Sequence, residues 1–286
     1  MKKKALISGI LVGILSLALV GCGGNSKEDD KTITIGVTPV PHEEIVKHIK
    51  PKLEEEGYKV VIKEFTDYVT PNKALAEGSL DANYFQHIPY LNEQNKAENL
   101  GLTYTARVHL EPLGLYSKSI KDIKDLKDGA TIAIPNDPSN EARALKLLES
   151  HGLIKVKDGE LVTVKDITEN NKNLKFKELE AAAIPRALDD VDAAVINGNY
   201  AIDAGFSVKD DALIAEDKDS EAAKPYANII AVRESDKDSQ KIKDLTKALT
   251  SEDVKKFINE KYDGSVIPVF YIIIWNFIYV FIKSYI

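Results

Sequence analysis

Short strands and helices alternate along this chain, and the alternation runs twice. Residues 32–37 read TITIGV, which puts Ile33, Ile35 and Val37 on one face of a strand. Glu43 to Glu56 carries Ile45, Ile49 and Leu53 at helical spacing, and Gly57 stops it. Tyr58 to Phe65 is the next strand. Thr70-Pro71 supplies an N-cap and a proline at the first helical position, and Gly78 ends that helix. Asp81 to Gln86 is extended, Pro89 opens a helix that runs to about Gly101, and Leu102 to Ser117 is a long extended stretch. This β-α-β-α-β order predicts a mostly parallel sheet with helices on its faces.

The order then restarts. Ala130 to Ile134 is a strand, Asn140 to Ser150 a helix carrying Leu145 and Leu148, and Leu174 to Phe176 a short strand. Glu178 to Leu188 is helical, with an interruption near Pro185. Asp192 to Ile196 is a strand, Tyr200 to Ala204 a short helix, Asn228 to Val232 a strand, and Ser239 to Tyr262 a helix. Two α/β units follow, dividing near residue 115, with 108–117 and 226–233 as candidate crossings. A chain that passes to a second lobe and returns builds a cleft. Ligands of α/β folds sit at the carboxyl ends of strands, and small-molecule sites favour domain interfaces.

The two ends differ from this pattern. Residues 1–24 begin with Lys2, Lys3 and Lys4, continue as an apolar run from Ala5 to Val20, and end in small residues, as a secretory signal does. Leu19-Val20-Gly21-Cys22 resembles a bacterial lipobox. Cys22 is the sole cysteine and stands where cleavage would leave it as a lipidated N-terminus. Residues 1–21 are therefore expected to be a lipoprotein signal peptide and 22–31 a lipidated tether, with the folded part at the outer face of a cell membrane. At the other end, 271–286 is apolar, and 13 of its 16 residues are Phe, Ile, Tyr, Asn or Lys. It reads either as a second anchor or as translation of AT-rich DNA beyond a domain that closes near Phe270. The residue bias favours the second.

Charge and cysteine count exclude several functions. The net charge is −7, and removal of 1–21 with its three lysines leaves 35 basic against 45 acidic side chains, or −10. A surface that acidic is unsuited to nucleic acid. One cysteine allows neither an internal disulfide nor a cysteine-based zinc site. No H-E-x-x-H, G-x-S-x-G, phosphate loop or G-x-G-x-x-G occurs. No nucleophile with a paired base can be named, so an enzyme is the reading with least support.

Candidate contacts lie just after strands: Tyr68, the Tyr84-Phe85-Gln86-His87 run, Asn140 to Arg143, and Asn197 to Tyr200. Arg143, read as falling in the first turn of its helix, is either a carboxylate clamp or a surface arginine paired with an acid such as Asp137. Asn197 offers a donor and an acceptor to an amino acid's charged groups, or is a turn residue before Gly198. Tyr68, Phe85 and Tyr90 form an aromatic slot or ordinary core. A metal site of His42, His87, His109 and Glu111 has no support from spacing.

The motifs taken together resemble the NlpA-type lipoproteins, the methionine-binding components of ABC importers. The segments are the lipobox, ITIGVTPVPHEEI from Ile33, DANYFQH from Asp81, PNDPSNEARALKLL from Pro135, AAVINGNYA from Ala193 and YANIIAVR from Tyr226. The resemblance covers about Lys31 to Phe270. It implies an α/β, two-lobed periplasmic-binding-protein-like fold (type II) with the ligand cleft between the lobes. Lobe 1 would be 32–115 with 230–270, and lobe 2 would be 116–229. It implies that Arg143 clamps a methionine carboxylate, that Asn197 and Asn228 bond the amino and carboxylate groups, and that Tyr68, Phe85, His87 and Tyr90 line the side-chain pocket. The implied partners are methionine, an importer permease with its ATPase, and the membrane through the lipid on Cys22. No cofactor is implied, and nothing demands an oligomer. A close variant would take a methionine-containing dipeptide or another apolar amino acid. A metal-binding or an adhesion lipoprotein are readings of a different class. The apolar tail after Phe270 has no counterpart in the family pattern.

Overall fold

The computed structural model describes residues 31–270. The expectations for the signal segment, for Cys22 and most of its tether, and for the 271–286 tail fall outside the described residues. In chain order the strands are β1 (Thr32–Val37), β2 (Lys59–Glu64), β3 (Ala82–His87), β4 (Leu102–Leu110), β5 (Gly114–Tyr116), β6 (Thr131–Pro135), β7 (Lys155–Val156), β8 (Ile167–Glu169), β9 (Lys175–Leu179), β10 (Ala193–Ile196), β11 (Ile214–Ala215), β12 (Asn228–Arg233) and β13 (Ile267–Pro268). The main helices are α1 (Glu44–Glu55), α2 (Thr70–Ala76), α3 (Ile88–Glu98), α4 (Pro138–Ser150), α5 (Ile184–Ala187), α6 (Gly198–Asp203), α7 (Gln240–Leu249) and α8 (Glu252–Tyr262). Among the described residues no helix is long and apolar enough to cross a membrane.

The strands form two large sheets, in the orders β13-β4-β12-β3-β1-β2 and β11-β5-β10-β6-β9. Neither is mostly parallel, which corrects the expectation from element order. β1 pairs in parallel with β2 and β3, and β6 with β9 and β10. These are the strands linked by helices. The remaining pairs within the two sheets are antiparallel. The crossings explain why. β4 runs out toward the second lobe and β12 runs back from it, so as neighbours they must oppose. The same holds for β5 and β11 on the far side. The long extended stretch is thus two strands in different sheets, broken at Glu111–Leu113, and β5 and β12 belong wholly to the second and first sheets respectively.

Each sheet carries its own core. In the first, Ile33, Ile35 and Val37 of β1 meet Ile45, Ile49 and Leu53 of α1, Leu245 and Leu249 of α7, and Val254 and Ile258 of α8. In the second, Ile132 and Ile134 of β6 meet Leu145 and Leu148 of α4 and Val195 of β10. Each fully buried Leu or Ile stabilises by about 1.5–3 kcal/mol of transfer free energy. The stripe predicted for α1 is therefore the buried one. Other local expectations change. The predicted helix 239–262 is two helices, because Ser251 caps the second by accepting from Val254 N. The start of α2 is held by Asp67, which accepts from Val69 N and Thr70 N at 2.7 Å each, so Thr70 is not the cap. Glu178 itself lies in strand β9, and the chain becomes helical from Ala181, first as a 3-10 turn and then as α5.

Candidate functional site

Tyr68, Phe85, His87, Tyr90, Arg143, Asn197 and Asn228 all line one small cavity on the seam between the lobes. Gln86, Glu111, Asn140, Gly198 and Asn199 complete its wall. The first lobe supplies the aromatic side. Strand alternation sends Tyr84 into the core of the lobe, where it is fully buried. The register between β12 and β3 then slips: Ile229 pairs with Gln86 and Ile230 with Tyr84, which leaves Phe85 without a partner. A bulge of this kind re-aims side chains, and here Phe85, Gln86 and His87 all face the cavity. Tyr68, Phe85 and Tyr90 form a three-ring cluster with centroids 5.7–6.1 Å apart. Tyr90 Oη donates to the backbone carbonyl of Tyr68 at 2.9 Å, which fixes the Tyr90 ring against that loop.

The second lobe supplies directed polar groups. Asp137 caps α4 by accepting from Asn140 N, and it also accepts from Asn140 Nδ2 through both oxygens. This orients Asn140 Oδ1 toward the cleft. There it accepts from His87 Nε2 at 3.1 Å and from Asn197 Nδ2 at 2.9 Å. His87 Nδ1 meanwhile accepts from Tyr90 N, so the ring is a neutral Nε2–H tautomer. Burial and the Arg143 guanidinium hold its pKa down to about 3. Among the described residues Asn197 Oδ1 is buried without a hydrogen-bond partner. Such orphans are rare in a folded interior.

Arg143 sits on the second turn of α4, which starts at Pro138, and not on the first turn as expected. Its partner is not Asp137. Nε and Nη2 grip Glu216 at 2.7 and 2.6 Å in a bidentate pair, and Nη2 also donates to the Glu111 carbonyl at 3.0 Å. Tyr226 stacks on the guanidinium 4.3 Å away. The group is 5% exposed, so it is neither a surface ion pair nor a free clamp. Nη1 makes no hydrogen bond among the described residues.

Behind the cavity wall lies a second polar cluster. His42 Nδ1 accepts from Thr38 Oγ1 at 2.7 Å, and its Nε2 faces Asn228 Oδ1 at 3.0 Å and Glu111 Oε1 at 3.4 Å. His109 Nε2 donates to Glu111 Oε1 at 2.6 Å, and its Nδ1 accepts from the Tyr84 hydroxyl. Burial lowers the pKa of His42 to about 4 and that of His109 to about 3. Ligand atoms of His42, His109 and Glu111 lie within 4.8 Å of one another, a spacing that could hold a metal ion. Two neutral imidazoles satisfy every ring nitrogen here, so the cluster closes without an ion. His87 does not join it, contrary to a four-ligand site.

The candidate contacts read from the sequence include Asn140 and Asn199 without giving either a role, Glu111 enters there only as a metal ligand, and Glu216 does not enter at all. Asn140 stood three residues before Arg143 in the same quoted motif, which was the available signal. Asn199 accepts from Tyr68 Oη at 2.5 Å across the cleft. Glu216 carried no local signal, since it meets Arg143 only through the fold.

Two α/β lobes joined by two chain crossings, with an enclosed aromatic and polar cavity on their seam, define a two-lobed substrate-binding protein of the periplasmic type. The chain belongs to the NlpA lipoprotein family, whose model matches residues 33–270. It is 45% identical over 276 residues to methionine-binding lipoprotein MetQ of Bacillus subtilis (strain 168), covering 93% of this chain and 99% of the relative. It is 43% identical over 265 residues to D-methionine-binding lipoprotein MetQ of Escherichia coli (strain K12), covering 91% and 95%. A nutrient-binding protein from Burkholderia cenocepacia, solved bound to methionine, superposes with a TM-score of 0.79 at 47% identity, covering 83% of this chain and all of the other.

Proposed function

We propose that this chain captures free methionine outside the cytoplasmic membrane and delivers it to an ABC importer permease and its ATPase. It acts as a binder and not as an enzyme. It is held to the membrane by lipid on Cys22 and works as a monomer. The observation that carries this reading is the cavity on the lobe seam, with three rings on one wall and amides and a guanidinium on the other. Tyr68, Phe85 and Tyr90 would take the thioether, which gains from aromatic contact and desolvation. Arg143 Nη1, Asn228 Nδ2 and Asn197 would take the backbone groups, with His87 fixing the wall between them.

The test uses a peculiarity of the sequence: Met1 is the only methionine. A fragment spanning 25–270 and freed of its tag contains none. Denaturing it after purification should release about one free methionine per chain if the site is nanomolar. Release of another amino acid or a dipeptide would change the substrate. An empty fragment that also gives no heat on titration with methionine would sink the proposal.

A further inference from the structure

The cavity on the seam has a neighbour. One stripe of α4, carrying Ser139, Arg143, Leu147 and Ser150 at helical spacing, lines a groove of about 590 Å³. Leu147, Leu161, Ala215, Ala222, Ala223 and Pro225 make much of its lining apolar. Leu161 is one of the few large apolar side chains exposed among the described residues. Of all the residues lining the groove, Arg143 alone also lines the cavity.

The partition between the two spaces is built from few side chains. Tyr226 lines the groove and packs at right angles to His87 of the cavity wall, with ring centroids 5.1 Å apart. Its face lies 4.3 Å from the Arg143 guanidinium. Glu216 grips Arg143 through Nε and Nη2 and also accepts from Leu113 N at 2.9 Å. Glu216 and Tyr226 are the two ends of one loop, so the guanidinium clips that loop at both ends. A ring wedged between a buried imidazole and a buried guanidinium is a wall. With the ligand's carboxylate on Arg143, a residue added at that carboxylate would run into Tyr226, and past Tyr226 lies the groove. Moving Tyr226 aside forfeits its contact with a desolvated guanidinium, which disfavours the longer ligand by about 30-fold.

We propose that Tyr226 is the length gate of the site. With the Arg143–Glu216 pair it confines the ligand to one residue. It also screens a second subsite, the α4 groove, whose apolar lining fits the next residue of a peptide extended at its carboxyl end. This rests on the amino-acid reading above. Selectivity for a single residue is achieved here by an obstacle and not by an extra contact.

The experiment is isothermal titration of the 25–270 fragment, which contains both lobe cores, after unfolding and refolding to empty it. The two ligands are methionine and the dipeptide methionyl-leucine. Wild-type protein should bind methionine more tightly by about 30-fold or more. Tyr226→Ala should shrink that ratio by about tenfold, through gain of the dipeptide. A merely structural role for Tyr226 would weaken both ligands alike and leave the ratio where it was. Adding Ala222→Trp to Tyr226→Ala fills the groove and should restore the preference for methionine. Thermal unfolding of each sample checks the fold. Should Tyr226→Ala fail to fold, Tyr226→Leu opens the same wall while keeping an apolar group on Arg143. A ratio unchanged in the folded variant, or a wild-type protein that binds both compounds alike, would overturn the gate while leaving methionine binding intact. A preference that Ala222→Trp does not restore would overturn the groove as the second subsite. Wild-type protein that binds no methionine would remove the amino-acid reading itself, and the gate with it.

Discussion

The two walls of the cleft are built on different principles. The first lobe offers rings that touch one another at 5.7–6.1 Å and present area with little direction. The second offers oriented polar groups, Asp137, Asn140 and Asn197, in which each hydrogen bond fixes the next and Asn140 Oδ1 also receives His87 Nε2 from the first lobe. Area gives affinity that tolerates small changes of shape, whereas a buried polar group left unpaired costs its full desolvation. The lesson is that substitutions of similar size should have unequal effects on the two sides.

The comparison breaks most sharply at Arg143. Arg143→Ala removes the guanidinium and strands Glu216, and methionine affinity should fall by about 2–5 kcal/mol in calorimetry. Affinity within threefold of wild type would remove Arg143 from the site.

Acid distinguishes the lobes next. His42, His87 and His109 all belong to the first lobe and are held neutral, with pKa values of about 4, 3 and 3. Unfolded, each takes up a proton near its ordinary value of 6.5. Their contribution is therefore complete above about pH 6.5 and is lost as pH falls toward 4, by about 1.4 kcal/mol per group per pH unit. In the second lobe the buried Asp137 is shifted upward by burial, so acid does not cost it stability. At pH 5 the protection of backbone amides against hydrogen exchange, corrected for the intrinsic rate, should fall in β1, β3 and β4 before β6 and β10. An equal loss of protection in both lobes would contradict the assignment of the three rings as buried and neutral.

A smaller effect is expected on the aromatic wall. Phe85→Leu keeps an apolar group in the slot and forfeits ring contact with the thioether, worth about 0.3–1.5 kcal/mol. Titration should show a loss of tenfold at most. Smallest of all is the response to a chelator. Because the His42, His109 and Glu111 cluster closes on its own hydrogen bonds, EDTA should leave both affinity and melting temperature unchanged. A drop in either would reinstate a metal at that cluster.

Much of this was legible in the sequence, for reasons that differ between the walls. The aromatic residues follow strands or open helices, so local period and the carboxyl-end rule located them. The helical stripe Ile45, Ile49 and Leu53 was equally visible, since one core face decides it. What stayed hidden depends on distant pairing. Nothing near Glu216 announces Arg143, 73 residues away. The mixed character of the sheets follows from the direction in which the chain re-enters each lobe, which no local pattern encodes. The break between α7 and α8 was readable in principle, as Thr250-Ser251 has the chemistry of a cap, but the continuous apolar period concealed it.

The two crossings run side by side, since β4 neighbours β12 in one sheet and β5 neighbours β11 in the other. A pair of parallel links behaves mechanically like a strap hinge: bending is easy about one line, and torsion is resisted by both links together. Glu111 lies in one strap and Asn228 at the end of the other, so both stand near the pivot line. Points near a pivot travel least when the leaves swing. On the proposed function, whatever these two side chains grasp would be held in nearly the same geometry as the leaves swing, and the remaining contacts would close onto a guest already seated.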